Sequence, residues 1–500
     1  MKNYKLLMLT TLIISGCSIC YELIISAISS YLVGDTVLQY SVTIGLYMCA
    51  MGIGSFLSKF LKHDLFNWFV VIEMGVGVIG GTSALMLFYS NLYLDIYQLV
   101  MYIEILLIGT LVGAEIPVMT RIIEQDHENL RITLSSIFSF DYIGGLIGSI
   151  AFPLLLLPQL GYFATAFLTG AMNLIAAALI IFCYQKRIKK AGIFKALVLF
   201  MLALMLSGMM LADRLADRVE DGLYRDRVIH VEQSQYQRIV MTKHKDDLRL
   251  YIDGNIQFCS LDEYRYHEAL VHIPMSAAVH HKDVLVLGGG DGLACRELLK
   301  YEDAQITLVD LDPAMTKLCS EDPNVVALNE GALSDPRVHV INTDAYQYLK
   351  ETDQQYDVII VDLPDPNNET LNKLYTNIFY RLCKNALRED GVMTVQSISP
   401  YYATDAFWCI HKTMESEGLY VEGYHLQVPA FGDWGFHLAS KQPIRQNLRV
   451  NVDTKYLTNE EIPAMFVFAK DEVPKKEVEM NTLSKPKLIT YYSEAVRNWD

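Results

Sequence analysis

The chain has 500 residues, 52% of them apolar and only 20% charged, with a net charge of −16. Residues 1–213 hold 11 Lys+Arg and 12 Asp+Glu, so residues 214–500 hold the other 30 and 45 of the 41 and 57. That split excludes a wholly soluble globular protein, a disordered chain and a collagen-like chain. The acidic second half argues against a nucleic-acid partner, whose phosphates need Lys and Arg, and it tolerates cationic substrates.

A membrane-crossing helix needs about 20 apolar residues. Seven stretches meet this, near 6–30, 38–61, 67–90, 96–119, 134–157, 161–184 and 194–212. Residues 1–213 therefore read as a multi-span α-helical membrane domain of about seven helices. Ile14-Ser15-Gly16-Cys17 resembles a lipoprotein cleavage box, but the apolar run continues to Ile28, as a span does and a signal segment does not. The nine Cys are scattered, and no Cys/His cluster has zinc-ligand spacing, so they read as small core residues and no metal site is expected.

Basic residues gather in alternate loops: Lys2 and Lys5, Lys59 and Lys62, Arg121 and Arg131, and the group from Lys186 to Lys195. The loops at Gly34-Asp35, Asn91 and Pro158-Gln159 hold none, which places the N-terminus in the cytoplasm. Seven spans would then put residues 214–500 outside, against the chemistry argued below. Glu22, Glu73, Glu104, Glu115 and Asp141 fall within the spans. Carboxylates are costly in lipid, so these are expected to face the bundle interior as structural groups, ahead of a cation or polyamine path. Gly144 and Gly148 form a GxxxG pair suited to close helix packing.

Past a charged linker, Asp213–Asp226, come short strand-like runs: Val228–Val231, Arg238–Thr242 and Leu248–Ile252. Asp253-Gly254-Asn255 is a turn signal. Residues 214–260 thus read as a linker with a small antiparallel β unit, and a helix follows over Asp262–His272. The pattern then changes. Val284–Leu287 and Val358–Val361 are fully apolar runs, Ile306–Val309, Val338–Ile341 and Val392–Val395 are apolar but for one residue each, and helical stretches separate them. Such runs build a parallel, doubly wound sheet, here a Rossmann-like, methyltransferase-type domain over 261–440. Residues 441–500, with an apolar run at Ala464–Ala469, read as a C-terminal extension.

Polar groups fall at the carboxyl ends of these strands, where open α/β sheets bind ligands. Gly288-Gly289-Gly290-Asp291-Gly292 lets backbone approach a nucleoside, and Asp310 ends the second strand as a ribose acceptor does. There is no P-loop lysine, and Asp291 would repel a pyrophosphate, so the ligand is a nucleoside without phosphates. Asp291, Asp310, Asp344, Asp362 and Asp365 make this edge acidic, which suits a sulfonium and an amine. Asp291 suits an aminopropyl sulfonium better than the methionine carboxylate of S-adenosylmethionine.

These residues carry a resemblance. Residues 231 to about 440 resemble the spermidine synthase (polyamine aminopropyltransferase) family, and the whole chain resembles its membrane-fused bacterial branch. The resemblance rests on Gln235-Tyr236-Gln237, Tyr251–Gln257, Asp262–Glu268, Gly288–Gly292 and Tyr356–Pro366 together. It implies transfer of an aminopropyl group from decarboxylated S-adenosylmethionine, a co-substrate with no separate cofactor, to a diamine such as putrescine. It further implies that Gln237, His267, Asp291, Asp310, Asp344 and Ala345 contact the nucleoside. Asp362 would be the catalytic base and, with Tyr266 and Asp365, would contact the diamine. The family more often has Glu at position 310, and Asn367-Asn368-Glu369 replaces its usual Gly-Pro. The segment Pro429–Phe436 would close the amine site but departs from the soluble enzymes. The donor is a cytosolic metabolite in this family, which implies a multi-pass protein of the cell membrane with a cytoplasmic catalytic domain. A homodimer or homotetramer is compatible with the resemblance. The residues alone leave two other readings: an S-adenosylmethionine-dependent methyltransferase, and a membrane polyamine transporter or sensor with a non-catalytic nucleoside-binding domain.

Overall fold

The computed structural model describes residues 4–33, 36–94, 96–124, 130–224, 226–445 and 447–497. Lys2 and the Gly34-Asp35 loop lie outside the described residues, as does the side chain of Arg131. The chain divides into two compact units, Met1–Arg225 and Asp226–Asp500.

In the first unit the apolar runs form α1 (Tyr4–Val33), α2 (Thr36–Ser58), α3 (Leu65–Tyr93), α4 (Tyr97–Glu124), α5 (Leu130–Ala151), α6 (Leu157–Cys183) and α7 (Ala191–Met210). Among the described residues, six helices are long and apolar enough to cross a membrane. One of the six is a 50-residue stretch, Leu134–Cys183, too long for a single pass. A wide turn at Phe152–Leu156 and non-helical backbone at Gly161 break it into α5 and α6, so the seven apolar stretches fill α1 to α7. The GxxxG glycines do the packing their spacing suggests. A Cβ on Gly144 would lie 2.2 Å from the Leu12 carbonyl, and one on Gly148 would lie 2.4 Å from that of Gly16. Only hydrogen lets α1 and α5 approach so closely, and in lipid such backbone contact replaces the hydrophobic effect.

Glu73, Glu104 and Glu115 are buried, while Glu22 and Asp141 are half-buried. Glu73 Oε2 accepts from Asn173 Nδ2 (2.9 Å), whose Oδ1 accepts from Tyr21 Oη (3.1 Å). The unit closes with α8 (Ala212–Leu223), which turns Leu215, Val219 and Leu223 onto the helical core.

The second unit opens with an antiparallel meander, β1 (Arg227–Gln233), β2 (Arg238–His244), β3 (Asp247–Ile252) and β4 (Asn255–Cys259). Asp253 (φ 48°) and Gly254 (φ 83°) form the tight turn between the last two, the Asp-Gly pairing that such a hairpin favours. The helix α9 (Glu263–Ala277) runs past its expected end at His272 and through Pro274.

A seven-stranded sheet follows: β5 (Asp283–Gly288), β6 (Gln305–Asp310), β7 (Val338–Asn342), β8 (Tyr356–Asp362), β9 (Leu387–Gln396), β10 (Tyr420–Val428) and β11 (Gly432–Ser440). Its order is β10-β11-β9-β8-β5-β6-β7, with β5 to β9 parallel and the terminal hairpin antiparallel. The helices between are α10 (Leu293–Leu298), α11 (Pro313–Glu321), α12 (Pro323–Asn329), α13 (Ala345–Glu351), α14 (Glu369–Asn372), α15 (Asn377–Ala386) and α16 (Thr404–Glu415). The apolar strands serve two cores because alternate side chains point to opposite faces. Val284, Val286, Val358 and Ile360 face one helical layer; Leu285, Leu287, Ile359 and Val361 face the other. The order reverses at β5, between β6 and β8, and this opens a crevice at the carboxyl ends of these strands.

The β10–β11 hairpin and the fate of the last segment were not part of the sequence expectation. The run Ala464–Ala469 yields only α17 (Ile462–Met465), with Phe466 and Phe468 filling gaps against Tyr424 and Phe407. The chain ends in α18 (Lys487–Arg497).

Candidate active site

The glycine loop sits where two strands meet. Gly288 pairs with Asp362 across β5 and β8, and a Cβ on Gly288 would lie 2.0 Å from the Asp362 carbonyl. Its φ of 84° also excludes most other residues. One step on, Gly289 N–H donates to that carbonyl (3.1 Å). Gly290 N–H donates to Asp310 Oδ2 (3.0 Å), while Asp310 Oδ1 accepts from Asp312 N–H (2.9 Å). Each Asp310 oxygen keeps a free lone pair that can accept from a hydroxyl. Burial pushes the Asp310 carboxyl up to about 6 against these donors. Asp291 is buried, and its Oδ1 accepts from Leu293 N–H (2.8 Å) at the start of α10.

A positive charge faces these acids. His267 on α9 is 2% exposed, and its Nδ1 lies 2.8 Å from Glu263 Oε2, one helical turn back. Glu263 is itself held by Arg296, Nη1 to Oε1 at 2.9 Å and Nη2 to Oε2 at 3.0 Å. Burial works against an imidazolium, but the Glu263 hydrogen bond and charge outweigh it, with Asp291 and Asp362 adding, and His267 is pushed up to about 9. His267 in turn opposes the rise that burial imposes on Asp291.

Asp362, at the end of β8, accepts from Tyr266 Oη on Oδ1 (2.5 Å). Burial raises its carboxyl to about 6, with the His267 charge opposing and Asp291 adding. The ring of Tyr266 is buried against Phe431 and Phe436, at centroid distances of 6.0 and 5.2 Å. This brings the tip of the β10–β11 hairpin over the base of the crevice. Ala430 N–H fixes that tip by donating to Asp262 Oδ2 (2.6 Å).

Asp365 lies deeper along the same loop. Oδ1 accepts from Gln396 Nε2 (3.2 Å) and Oδ2 from Tyr492 Oη (3.4 Å), while burial pushes the carboxyl up to about 6. Gln396 Nε2 also approaches Leu363 O (2.5 Å) and Tyr375 Oη (2.9 Å), so the loop is held from β9.

Other expected residues lie further out. Asp344 caps α13, accepting from Tyr346 N–H (2.8 Å) on Oδ1, and Oδ2 pairs with Lys373 Nζ (2.5 Å). Burial alone would raise the Asp344 carboxyl, but Lys373 holds it below its ordinary range. Ala345 is the buried first residue of α13. Gln237 belongs to the turn between β1 and β2, where Ser234 Oγ donates to Asp312 Oδ2 (2.7 Å) and so ties the turn to the end of β6. Sequence reasoning missed Glu263, Gln396, Lys373 and Tyr492. Glu263 had a signal, since it sits four residues before His267 on one helix face. Among the described residues, His425, Asp433 and Glu472 cluster as metal ligands can. Both ring nitrogens of His425 already face oxygen acceptors, Asp433 Oδ1 (2.8 Å) and Val467 O (3.0 Å), which suits an imidazolium rather than a ligand.

Residues 263–451 match the family model described as Spermine/spermidine synthase domain. The whole chain aligns with curated relatives. It is 41% identical to the polyamine aminopropyltransferase of Oceanobacillus iheyensis over 507 residues, covering 100% of this chain and 99% of that one. It is 42% identical to the polyamine aminopropyltransferase of Leptospira interrogans, over 99% and 98%. The chain belongs to the polyamine aminopropyltransferase family. The spermidine synthase of Thermotoga maritima, a solved structure, shares 28% identity over 49% of this chain and 87% of that one, with a TM-score of 0.45. An aminopropyltransferase acts on small molecules, an aminopropyl donor and an amine, and the family decides the activity for aminopropyl over methyl transfer.

Proposed function

We propose that this aminopropyltransferase moves the aminopropyl group of decarboxylated S-adenosylmethionine to putrescine, giving spermidine and methylthioadenosine. In this reading Asp310 accepts from the ribose hydroxyls. Gln237 and Ala345 line the nucleoside, with Asp344 at the adenine. Asp291 and His267 flank the aminopropyl end. Tyr266 and Asp365 hold the diamine, and Asp362 is the base.

The observation that carries the reading is the Asp362–Tyr266 hydrogen bond beside the His267 charge. A putrescine ammonium has a pKa near ~10 and no lone pair, so it must lose a proton before it attacks. Asp362 accepts that proton as a general base, and Tyr266 fixes the carboxylate that receives it. The free amine then attacks the aminopropyl carbon in line. A C–N bond forms, the C–S bond breaks, and the sulfonium leaves as a neutral thioether. Desolvation sharpens each charge in the crevice, and holding both reactants together supplies much of the rate.

The helical unit supports a multi-pass protein of the cell membrane, in contact with lipid. The cytosolic origin of the donor supports a catalytic unit in the cytoplasm. Cysteine-accessibility labelling across residues 213–226 tests that side; labelling from outside in intact cells overturns it. The reaction is tested with detergent-purified full chain, putrescine and decarboxylated S-adenosylmethionine, read by mass spectrometry. Methylthioadenosine and spermidine are expected in equal amounts. Methylthioadenosine with another diamine but not with putrescine would move the acceptor, and its absence with every diamine would end the proposal.

A further inference from the structure

The matched domain ends at residue 451, yet the chain beyond it returns to the crevice. A fully buried asparagine anchors the return. Asn481 Nδ2 donates to Asn372 Oδ1 (2.8 Å) and to Tyr375 O (3.0 Å), and its N–H donates to Thr413 Oγ1 (2.8 Å). Its carbonyl accepts from Asn377 N–H (3.2 Å), and its Oδ1 accepts from Leu488 N–H (3.3 Å) at the start of α18. Three of these five hydrogen bonds tie this strand of chain to the segment that follows Asp365; the others reach Thr413 on α16 and the start of α18. Leu488 then buries completely in the core beneath the sheet, and Tyr491, Tyr492 and Ala495 pack against the same core.

The helix set down in this way carries Tyr492 to Asp365, Oη to Oδ2 at 3.4 Å, across 127 residues of sequence. Gln396 holds the other Asp365 oxygen from β9, so the carboxylate is fixed from two elements. The geometry points to Tyr492 as a positioning residue of the amine subsite: it orients Asp365 toward the far ammonium of the diamine, and its ring sets the length of diamine accepted. This rests on the reading of Asp365 as a diamine contact. The chemistry follows from donor and acceptor counts. The tyrosine proton goes to the carboxylate, and the phenol oxygen keeps lone pairs. A primary ammonium brings three N–H donors and needs acceptors for them in a site without water. Asp365 and the Tyr492 oxygen together supply two kinds of acceptor at one place. The aromatic ring adds a rigid wall, which a loop of small residues would not.

The test uses the full chain in detergent and steady-state kinetics, varying putrescine at saturating donor and the donor at saturating putrescine. Tyr492→Phe removes the hydroxyl and keeps the ring. Its KM for putrescine is expected to rise on the order of tenfold, the loss typical of one hydrogen bond to a charged group. Its kcat and its KM for the donor should stay within about twofold, while Tyr492→Ala should raise the relative rate with 1,5-diaminopentane. Tyr491→Phe is the structural control, since Tyr491 lies on the same helix as Tyr492 but its Oη accepts from Glu479 N–H (3.2 Å), ahead of that helix. An equal KM change in Tyr491→Phe overturns the inference, as does an unchanged putrescine KM in Tyr492→Phe. Asp365→Asn separates the two levels. If it raises the putrescine KM while Tyr492→Phe does not, only the role of Tyr492 falls. If it too leaves the KM unchanged, the amine subsite itself is misplaced and both readings fall.

Discussion

In the α/β unit the crevice carboxylates are each met by donors: Asp291 by Leu293 N–H, Asp310 by two backbone N–H groups, Asp362 by Tyr266, and Asp365 by Gln396 and Tyr492. In the helical unit Glu73 Oε1, Glu104 Oε2 and Glu115 Oε1 are buried with no hydrogen-bond partner among the described residues. The three glutamates are buried, whereas among the crevice acids Asp291 is buried and Asp310, Asp362 and Asp365 are half-buried, and the surroundings differ as well. Donors aimed at a carboxylate favour its charged form, and His267 adds a full opposite charge nearby. The crevice is therefore built to hold negative charge in a dry place. Glu73 does meet a donor, Asn173 Nδ2, on its other oxygen, but each of the three glutamates leaves one buried oxygen without a partner among the described residues, so their shape and polarity are expected to matter more than charge. Charge-removing substitutions should separate the two units sharply.

The largest effect is expected at Asp362. Asp362→Asn keeps the side chain's size and removes the proton acceptor. Turnover should fall by about 10²–10⁴, the usual contribution of a positioned base. Methylthioadenosine affinity, measured by calorimetry, should change by no more than about twofold, because this carboxylate faces the amine. A variant that retains turnover would remove Asp362 from the chemistry. The wild-type kcat/KM should also rise with pH through about 6, as Asp362 of the free enzyme becomes ionised and able to accept a proton.

His267 comes next. Its folded pKa of about 9 lies above the ordinary 6.5, so it binds its proton more tightly in the folded state. The sign follows from linkage. This stabilisation is fully present below pH 6.5 and is lost as pH rises through about 9, amounting to about 3 kcal/mol. Chemical unfolding of wild type and His267→Gln at pH 6 and pH 10 measures it. The wild type should lose stability over that range by more than the variant does. Equal losses would mean that Glu263 and the neighbouring acids do not hold an imidazolium there.

Much of this was legible from sequence because the relevant signals are local. Val284–Leu287 and Val358–Val361 are unbroken apolar runs, the mark of strands buried on both faces, and Asp362 follows one of them directly. The glycine loop was visible for the same reason. The hairpin at 420–440 was harder: Glu422 and Gly423 interrupt its alternation, and its buried polar His437 imitates a surface residue. Pro274 disguised the last turn of α9, since proline in a helix interior removes a hydrogen bond and normally ends the helix. The place of Asp344 near a strand end marks it as one of the edge acids, and its nucleoside role comes only from the family resemblance; its pairing with Lys373 depends on a fold that closes 29 residues into one contact. Tyr492 had no local signal at all, because its meaning comes entirely from where α18 lands.

The smallest effect is the one that sharpens the comparison most. Glu104→Gln is isosteric and neutral, and it leaves an amide where the orphan Oε2 now sits. If the helical unit uses this side chain only for packing, aminopropyl transfer by the full chain should stay within about twofold of wild type. The thermal midpoint in detergent should move by only about one or two degrees, roughly what ~1 kcal/mol produces in a chain of this size. A tenfold loss of turnover with an unchanged midpoint would mean that charge in the bundle reaches the chemistry. The two kinds of buried acid would then belong to one electrostatic system, and the contrast between them would have to be abandoned. Unchanged turnover beside the collapse in Asp362→Asn locates the working charge in the crevice, where the donors are.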